Sequence, residues 1–321
     1  MSATPRIVAR INALSAVTQS RCEGPDDLAA VGAMLSSASA EDPTGVYWHP
    51  GDLIWRYFLL TIHDDPEQCM RLWRAGSEVL GFAWHDPRDG YVDWQAHPRA
   101  RRLGLDTEMI TWALMRHAAS QSGKPLAERR PPFTGCCDAD TRRQAILERH
   151  GFVRDSNVFH HLVSSLRDPL PEPSLPSGFT LRCVAGEHEH ANRAAAHQSA
   201  FHPSRVTAEH YLRLMRLPGY DRELDVVAVA PDGRIAAFAL GWVDPRTGVG
   251  AFEPVGAHAD FRRMGLGRAV LIEGMRRMQA RGCHTAFVMC EGNNAGVNQF
   301  YQSTGFNLIR RDFDYVRRER L

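Results

Sequence analysis

One stretch of the sequence, RRMGLG at Arg262–Gly267, combines two arginines with two closely spaced glycines. Gly265 and Gly267 allow the backbone to approach a ligand closely. If a helix begins here, its first unpaired N–H groups and the positive end of its dipole face the same ligand. Positive charge is added at this point by three arginines, Arg262, Arg263 and Arg268. The stretch suits a pyrophosphate, although a glycine-rich helix start is the simpler alternative.

Two common phosphate-binding loops do not fit this stretch. It is not the GxGxxG of a dinucleotide-binding unit, and it is not a Walker loop because no GK[ST] follows. A second stretch lies further along the chain, EGNNAGVNQFYQSTGF at Glu291–Phe306. It contains an asparagine, a tyrosine and a terminal Gly-Phe at fixed spacing, at Asn294, Tyr301 and Gly305–Phe306.

Together the two stretches resemble the GCN5-related N-acetyltransferase (GNAT) family. RRMGLG matches the family's acetyl-CoA signature, [RQ]-x-x-G-x-[GA], and the second stretch is similar to its N-x7-Y-x3-GF region. The two motifs occur in the family's order, and the resemblance is strong over residues 177–321 and weak in the first half. It implies acetyl-CoA as cosubstrate and direct transfer of the acetyl group to a primary amine.

The resemblance also implies where acetyl-CoA binds. In the family, the backbone of one strand faces the pantetheine arm, and the matching residues are Val255, Gly256 and Ala257. The pyrophosphate would bind at seven consecutive residues, Arg262, Arg263, Met264, Gly265, Leu266, Gly267 and Arg268. Asn294 would either contact the cosubstrate or fix its loop.

Acetyl transfer requires a base for the ammonium and an acid for the departing thiolate. Tyr301 stands at the family's usual acid position, although a tyrosine packed on the sheet is the alternative. Strand alternation predicts that Glu253, Val255 and Ala257 share one face. The Glu253 carboxylate is then a candidate base, acting directly or through a water, and the alternative is a salt-bridged glutamate at a strand edge. A backbone N–H near Val255 would stabilise charge on the carbonyl oxygen.

Histidines are weaker candidates for chemistry. The unperturbed pKa of His258, about 6.5, would suit a base, but we expect a structural role in the turn, where His97 holds the same place in the first half. His188, His190 and His197 lie close together. We expect no metal site there, because the sequence offers no matching set of carboxylates or cysteines.

The elements that position these residues follow a recognisable order in the second half. A hairpin around a PDG turn precedes a DPRTG turn, a strand, the RRMGLG segment with its helix, a further strand and a last helix. The corresponding ranges are Ala228–Asp244, Asp244–Gly248, Val249–His258, Asp260 to about Arg281, His284–Cys290 and Ala295–Thr304.

The first half repeats this order. The shared signals are DPR-x-G, A-H, R-R-x-G-L and G-F, at nearly constant offset. The corresponding ranges are Met70–Trp84, Asp86–Gly90, Tyr91–His97, Arg101 to His117, Phe133–Cys137 and Thr141–Arg149. We therefore predict a tandem duplication of a mixed-sheet α/β domain, that is, two GNAT-like domains.

A proline-rich stretch, RDPLPEPSLPSG at Arg167–Gly178, divides the chain nearly in half. This composition favours a stiff, extended connector. The predicted boundaries are an N-terminal domain at 1–167, a linker at 168–177 and a C-terminal catalytic domain at 178–321.

The first copy lacks residues that the chemistry requires. Aligning Arg101 with Arg262 places Asp106 at Gly267, where its charge would repel phosphate oxygens. The other replacements are Leu147 for Tyr301, Asp140 for Asn294 and Val92 for Glu253. We predict that this copy keeps the strand-to-helix geometry but does not transfer acetyl groups.

The composition excludes several classes of protein. Its 321 residues are 44% hydrophobic and 23% charged with a net charge of +1, so neither nucleic acid nor a membrane surface is an expected partner. Seven cysteines without CxxC spacing favour reduced thiols in the cytoplasm. For the adjacent pair Cys136–Cys137, packing in a strand is favoured over a redox role. We expect a monomer or homodimer.

Three functions remain open at this point. The first is acetyl-CoA-dependent N-acetylation of a small-molecule amine. The second changes the acceptor to a protein or peptide amine, or changes the acyl group. The third is a non-catalytic acyl-CoA sensor, although a sensor has no need of a proton donor at Tyr301.

Overall fold

The structure is a computed structural model, and it describes residues 16–62 and 64–318. Its strands are β1 (Val17–Arg21), β2 (Met70–Ala75), β3 (Glu78–His85), β4 (Val92–Ala96), β5 (Phe133–Cys137), β6 (Val153–Ser165), β7 (Thr180–Cys183), β8 (Asp225–Val229), β9 (Ile235–Asp244), β10 (Val249–Ala257), β11 (Thr285–Glu291) and β12 (Asn307–Val316). Its α-helices are α1 (Pro25–Glu41), α2 (Pro50–Thr61), α3 (Pro66–Cys69), α4 (Pro98–Leu103), α5 (Leu105–Gln121), α6 (Thr141–Arg149), α7 (His190–Ala200), α8 (Ala208–Leu214), α9 (Leu266–Ala280) and α10 (Ala295–Ser303).

The described chain divides into two compact units, which do not follow the predicted boundaries. Unit 1 consists of residues 16–48, 64–158 and 311–318, and unit 2 of residues 49–62 and 159–310. Helix α2 therefore belongs to unit 2, although it comes from the first half of the sequence. Residues 311–318 come from the second half of the sequence but belong to unit 1. They lie in β12, whose last part is hydrogen-bonded to β5 of that unit.

Unit 1 contains an antiparallel sheet in the order β1-β2-β3-β4. Strand β5 pairs antiparallel with the last part of β12, from Asp312 to Val316. An isolated parallel bridge between Tyr91 and Phe133 connects the two sets of strands. Helix α5 buries Met109 and Ile110 against the sheet residues Trp73 and Trp94.

Unit 2 contains a mixed sheet in the order β6-β11-β10-β9-β8-β7, to which β6 contributes residues 159–165. The β10–β11 pair is parallel, and the pairs on either side of it are antiparallel. Helix α9 packs on one face of this sheet through a group of fully buried side chains, among them Val270, Leu271, Met275 and Met278. On the other face lie α2, α7 and α8, whose buried residues contact Leu240 and Trp242.

The repeated DPR-x-G turns confirm the duplication. In one turn the carbonyl oxygen of Asp86 accepts the Gly90 N–H at 3.0 Å, and in the other that of Asp244 accepts the Gly248 N–H at 2.9 Å. Both glycines have positive φ, 84° and 67°, which glycine adopts without strain. The mixed α/β class and the tandem order of elements are as predicted.

The proline-rich segment has no helix or strand between Ser165 and Thr180, but it is not a detached connector. Its side chains Leu170 and Leu175 pack against the core of unit 2. Arg276 of α9 also forms an ion pair with Glu172 at 2.5 Å. The segment is therefore part of unit 2.

All seven cysteines are free, and Cys136 and Cys137 are buried in β5, which fits the packing role favoured for them. Among the helices in the described part of the chain, none is long and apolar enough to cross a membrane.

Candidate active site

The RRMGLG segment forms an exposed loop that ends in the first turn of α9. Before the loop, His258 caps a short 3₁₀ turn, and its ring accepts the Asp260 N–H at 3.2 Å. Arg262 is extended, and Arg263 has a φ of 64°, an uncommon conformation for a residue with a side chain. Gly265 follows with a φ of 80°, and α9 begins at Leu266. The loop thus turns the chain sharply into the helix, as the sequence predicted.

Two arginines at this loop, Arg262 and Arg268, form hydrogen bonds with backbone carbonyl oxygens and not with carboxylates. Arg262 Nη2 donates to the carbonyl oxygen of Ala200 at 3.0 Å, and Arg268 Nη1 donates to that of Ser303. A Cβ placed on Gly267 would meet only the Phe300 ring, at an ordinary 3.5 Å. An exposed loop, the lack of a side chain at Gly267 and arginines bonded to backbone carbonyl oxygens fit the binding of an anion such as a pyrophosphate.

Strands β10 and β11 separate next to this loop. Their pairing covers Val249–Ala251 and Thr285–Phe287, whereas β10 stays paired with β9 as far as Ala257. The edge of β10 at Val255, Gly256 and Ala257 therefore borders an opening in the sheet. This is the segment to which the family resemblance assigns the pantetheine arm.

A β-bulge in β10 changes the predicted orientation of Glu253. Phe252 pairs with Gly241 and Val255 with Ala239, so one extra residue lies in β10 between these pairs. A bulge reverses the alternation of faces. The prediction that Glu253 shares a face with Val255 and Ala257 was therefore wrong. Those two residues pack toward the α9 core.

Glu253 instead has its charged neighbours on α2. It is partly buried, and its pKa is raised to about 8, first because burial disfavours the charged carboxylate and then because Asp52 is negative. Arg56 acts in the opposite direction and lowers this pKa. A carboxyl group whose pKa lies near 8 is a good match for a base that accepts a proton from an ammonium group.

Tyr301 lies on α10, six per cent exposed, with its ring against Phe306. Burial raises its pKa above the usual value, and the charges of Glu253 and Cys290 raise it further. The negative charge of Glu253 thus acts on the Tyr301 hydroxyl. The phenol stays protonated at neutral pH and can donate a proton.

Asn294 is the N-cap of α10. Its side chain accepts the Val297 N–H at 3.2 Å, so of the two predicted roles the structure contains the one that fixes the loop. His258 and His97 occupy matching turns, since the His97 ring accepts the Arg99 N–H at 3.3 Å. Both histidines have the structural role expected from the sequence.

The three clustered histidines do not converge. His190 begins α7, His188 lies in the preceding 3₁₀ turn, and His197 is buried between the rings of Trp55 and Phe238. Across residues 16–62 and 64–318, no group of three or more His, Cys, Asp or Glu side chains could hold a metal ion.

The first copy has a different backbone at the corresponding segment. Arg101 lies inside helix α4, whereas its counterpart Arg262 lies in the extended loop. Pro98 explains the difference, because proline at the first helical position favours a helix start. Gly104 has a φ of 83°, so the glycine turn survives. The prediction that the strand-to-helix geometry is retained was therefore correct only from Gly104 onward.

The charges of the first copy are paired internally. The Asp106 carboxylate accepts from Arg142 at 2.5 Å and from the Trp94 indole at 3.2 Å. The two arginines of RRLG form ion pairs with the end of α1, Arg101 with Asp42 and Arg102 with Glu41, both at 3.4 Å. These pairs take up the positive charge that a pyrophosphate would need.

Arg143 spans the space between β4 and β5. Its guanidinium donates to the carbonyl oxygen of Trp94 in β4 at 2.9 Å and to that of Gly135 in β5 at 3.1 Å. It also forms an ion pair with buried Asp93 at 2.7 Å and lies 3.8 Å from the Trp94 ring centroid. In the second copy the corresponding position is Val297, which cannot make these bonds.

Sequence reasoning did not assign Asp52, Arg56 or Trp242 to the site. The Trp242 indole N–H donates to the carbonyl oxygen of Glu253 at 2.8 Å. No motif surrounds these residues. The close packing of Gly51 on Trp242 is visible only in three dimensions.

Comparison with known proteins agrees with this geometry. Residues 192–306 match the Acetyltransferase (GNAT) family. The chain is 28% identical to the mycothiol acetyltransferase of Saccharomonospora viridis, covering 75% of this chain and 80% of that protein. The fold is similar to that of a GCN5-related N-acetyltransferase from Sphaerobacter thermophilus, with a TM-score of 0.62, 22% identity, and 95% and 97% of the two chains covered.

A tandem GNAT protein from the clavulanic acid biosynthesis pathway also shares the fold. Its TM-score is 0.59 at 13% identity, with 94% of this chain and 98% of that chain covered. The matched residues form an acetyltransferase domain of the GNAT type. The chain is an N-acetyltransferase, and its fold has the tandem arrangement seen in GNAT proteins.

Proposed function

We propose that this protein transfers an acetyl group from acetyl-CoA to the primary amine of a small molecule, at one site in unit 2. The observation that carries the proposal is that β10, which separates from β11 after Ala251, contains Glu253 with its raised pKa, and that the Glu253 charge acts on buried Tyr301. The first copy has Val92 and Leu147 at these positions.

The residues present fit acetyl-CoA. The loop from Arg262 to Arg268 would hold the pyrophosphate, and the backbone edge of Val255, Gly256 and Ala257 would hold the pantetheine arm. When bound, acetyl-CoA supplies the acetyl thioester. Asn294 would act indirectly, because it caps the helix that carries Tyr301.

Glu253 and Tyr301 divide the proton transfers between them. Glu253 removes a proton from the acceptor ammonium, which frees the nitrogen lone pair for attack. Tyr301 gives its proton to the thiolate as that group leaves. Their pKa values support these roles, since a carboxyl near 8 ionises within reach of neutral pH and the phenol does not. The backbone N–H near Val255 is the candidate donor to the carbonyl oxygen.

The acceptor is expected on the side of Glu253 that faces α2. Asp52 contributes a negative charge there, partly offset by Arg56, and this carboxylate favours a cationic amine. The name of the relatives makes the amine that is acetylated to give mycothiol the first acceptor to include in a panel. An amine on a protein or peptide is the second candidate acceptor, and a non-catalytic acyl-CoA sensor is the alternative function.

Thiol release from acetyl-CoA in the presence of an amine panel tests the proposal. We expect turnover with at least one small amine, and loss of turnover in Glu253→Gln and Tyr301→Phe. Turnover only with protein or peptide amines would change the acceptor class. Tight acetyl-CoA binding without turnover on any amine would favour the sensor. A cytoplasmic location and a monomeric or homodimeric state stay predictions.

A further inference from the structure

Helix α2 is joined to unit 2 by its N-terminal end. The ring of His49, which caps the helix, lies with Nε2 3.2 Å from the carbonyl oxygen of Val249 in β10. Further along the helix, buried Trp55 and Phe58 belong to the same apolar cluster as Trp242 of β9. The first turn of α2 therefore lies against β10, the strand that contains the bulge, and against its neighbour β9.

Gly51 in this first turn has no room for a side chain. A Cβ at Gly51 would lie 2.3 Å from both Cβ and Cγ of Trp242, a separation that real atoms do not adopt. Its backbone has no left-handed φ, so the glycine is required by the close approach and not by the conformation. The absence of a side chain at Gly51 sets the position of the indole.

The indole in turn holds the bulge. Trp242 is two per cent exposed, and its N–H donates to the Glu253 carbonyl oxygen at 2.8 Å. A bulge interrupts the regular ladder, so a carbonyl within it needs a donor from elsewhere. Trp242 supplies that donor at the residue whose side chain is the proposed base.

We infer that Gly51 and Trp242 are positioning residues for acetyl transfer. Trp242 fixes the bulge that presents the Glu253 carboxylate, and Gly51 fixes Trp242. The inference rests on the proposed role of Glu253. It gives the helix from the first half of the sequence a function in the reaction that unit 2 performs.

The pH midpoint of kcat/KM is a measurement that a change in packing alone would not alter, because it depends on the charges around Glu253. Asp52 and Arg56 act on Glu253 from α2, and its own charge acts on Tyr301 of α10. Asp52 directly follows Gly51, so a shift of the bulge against α2 changes the distance from Glu253 to both α2 charges. The pH midpoint of kcat/KM then moves together with kcat.

The sharpest variant replaces Trp242 with 3-benzothienylalanine, which keeps the ring shape and lacks the N–H. We expect kcat to fall about tenfold or more, the pH midpoint to move, and the KM for acetyl-CoA to stay unchanged. Gly51→Ala should act in the same direction. Because both act through one contact, the combined loss should not exceed the larger single loss.

Trp55→Phe is the matched control, because it trims an indole from the same helix and cluster. It should lower the melting temperature while leaving kcat and the pH midpoint at their wild-type values. A folded benzothienylalanine variant with wild-type kcat and pH midpoint would overturn the inference, as would equal shifts in Trp55→Phe. The two proposals fail separately. If Glu253→Gln stays active, the assignment of Glu253 as the base is wrong. If Glu253→Gln is inactive but the benzothienylalanine variant keeps the wild-type kcat and pH midpoint, only the positioning role is wrong.

Discussion

Asp106 and Gly267 occupy the same position in two helices, the second residue after a glycine in the left-handed conformation. Gly104 precedes α5 with a φ of 83°, and Gly265 precedes α9 with a φ of 80°. In α5 the position carries a carboxylate that is buried and paired with Arg142. In α9 it carries no side chain, and a Cβ there would make only an ordinary contact with the Phe300 ring. The two copies therefore differ at the point where phosphate charge would be received.

Gly267→Asp should weaken acetyl-CoA binding by about tenfold or more, because a carboxylate there repels the pyrophosphate. The variant should fold, since an acidic residue in the first turn stabilises a helix. Isothermal titration gives the dissociation constants. Gly267→Asn has the same size without the charge, and we expect it to bind more tightly than Gly267→Asp, with a difference that shrinks at high salt. Equal affinities for the two variants would contradict the charge argument.

Tyr301→Phe should lower kcat by about 10²-fold or more, because it removes the proton donor and leaves the ring packing in place. The KM for acetyl-CoA should change little. Steady-state kinetics measure both. Tyr315→Phe, which removes a hydroxyl from a buried tyrosine of unit 1, serves as the control. A Tyr301→Phe enzyme with wild-type kcat would exclude the acid role.

The pH dependence of kcat/KM should follow the ionisation of Glu253. Only the carboxylate accepts a proton, so activity should rise with pH and level off above the pKa of about 8. In Glu253→Gln this limb should disappear together with most of the activity. If the remaining activity of Glu253→Gln rose with pH in the same way, the ionising group would be another one, such as the acceptor amine.

Glu253→Gln should also stabilise the fold at alkaline pH. The carboxyl ionises above pH 4.5 in the unfolded chain but only near pH 8 in the folded protein. Folding therefore takes up a proton between these values, and the free energy of unfolding falls as the pH rises through that window. Glutamine removes this cost, on the order of 2 kcal/mol after allowance for partial exposure.

Denaturant unfolding from pH 5 to pH 9 measures that gain, which should grow with pH and then level off. Glu128→Gln, at an exposed position of unit 1, should show no such trend. A pH-independent difference for Glu253→Gln would contradict the raised pKa.

Arg143→Val should destabilise unit 1 by about 3 kcal/mol or more, because it leaves the buried Asp93 carboxylate without its charged partner. Thermal unfolding measures the effect. Arg149→Val removes an exposed arginine from the same helix, and we expect a smaller loss. Equal losses would show that the Asp93 pair is not what holds β4 to β5.

Local signals were sufficient to predict the order of elements. The DPR-x-G turns, the glycine at Gly265 and the spacing of Asn294 and Tyr301 each fix local geometry, and each was found where it was predicted. Glu253 was correctly placed in a strand, but its face was wrong because a bulge depends on pairing register. Residue patterns do not encode register directly.

The remaining features depend on long-range packing. The aromatic pattern of α2 predicts burial but not the sheet against which it packs, so its assignment to unit 2 was missed. The bonds of Arg143 to Trp94 and Asp93 in β4 join residues 49 and 50 positions apart in sequence. In the first copy, RRLG became helical through Pro98, a local signal that was present and was not used.

The central claim is that only unit 2 binds acetyl-CoA, and the binding stoichiometry tests it most directly. Titration of the purified protein with acetyl-CoA should give one equivalent per chain, and Gly267→Asp should weaken that single binding event by about tenfold or more. Two equivalents per chain, or one equivalent that survives unchanged in Gly267→Asp, would contradict the claim.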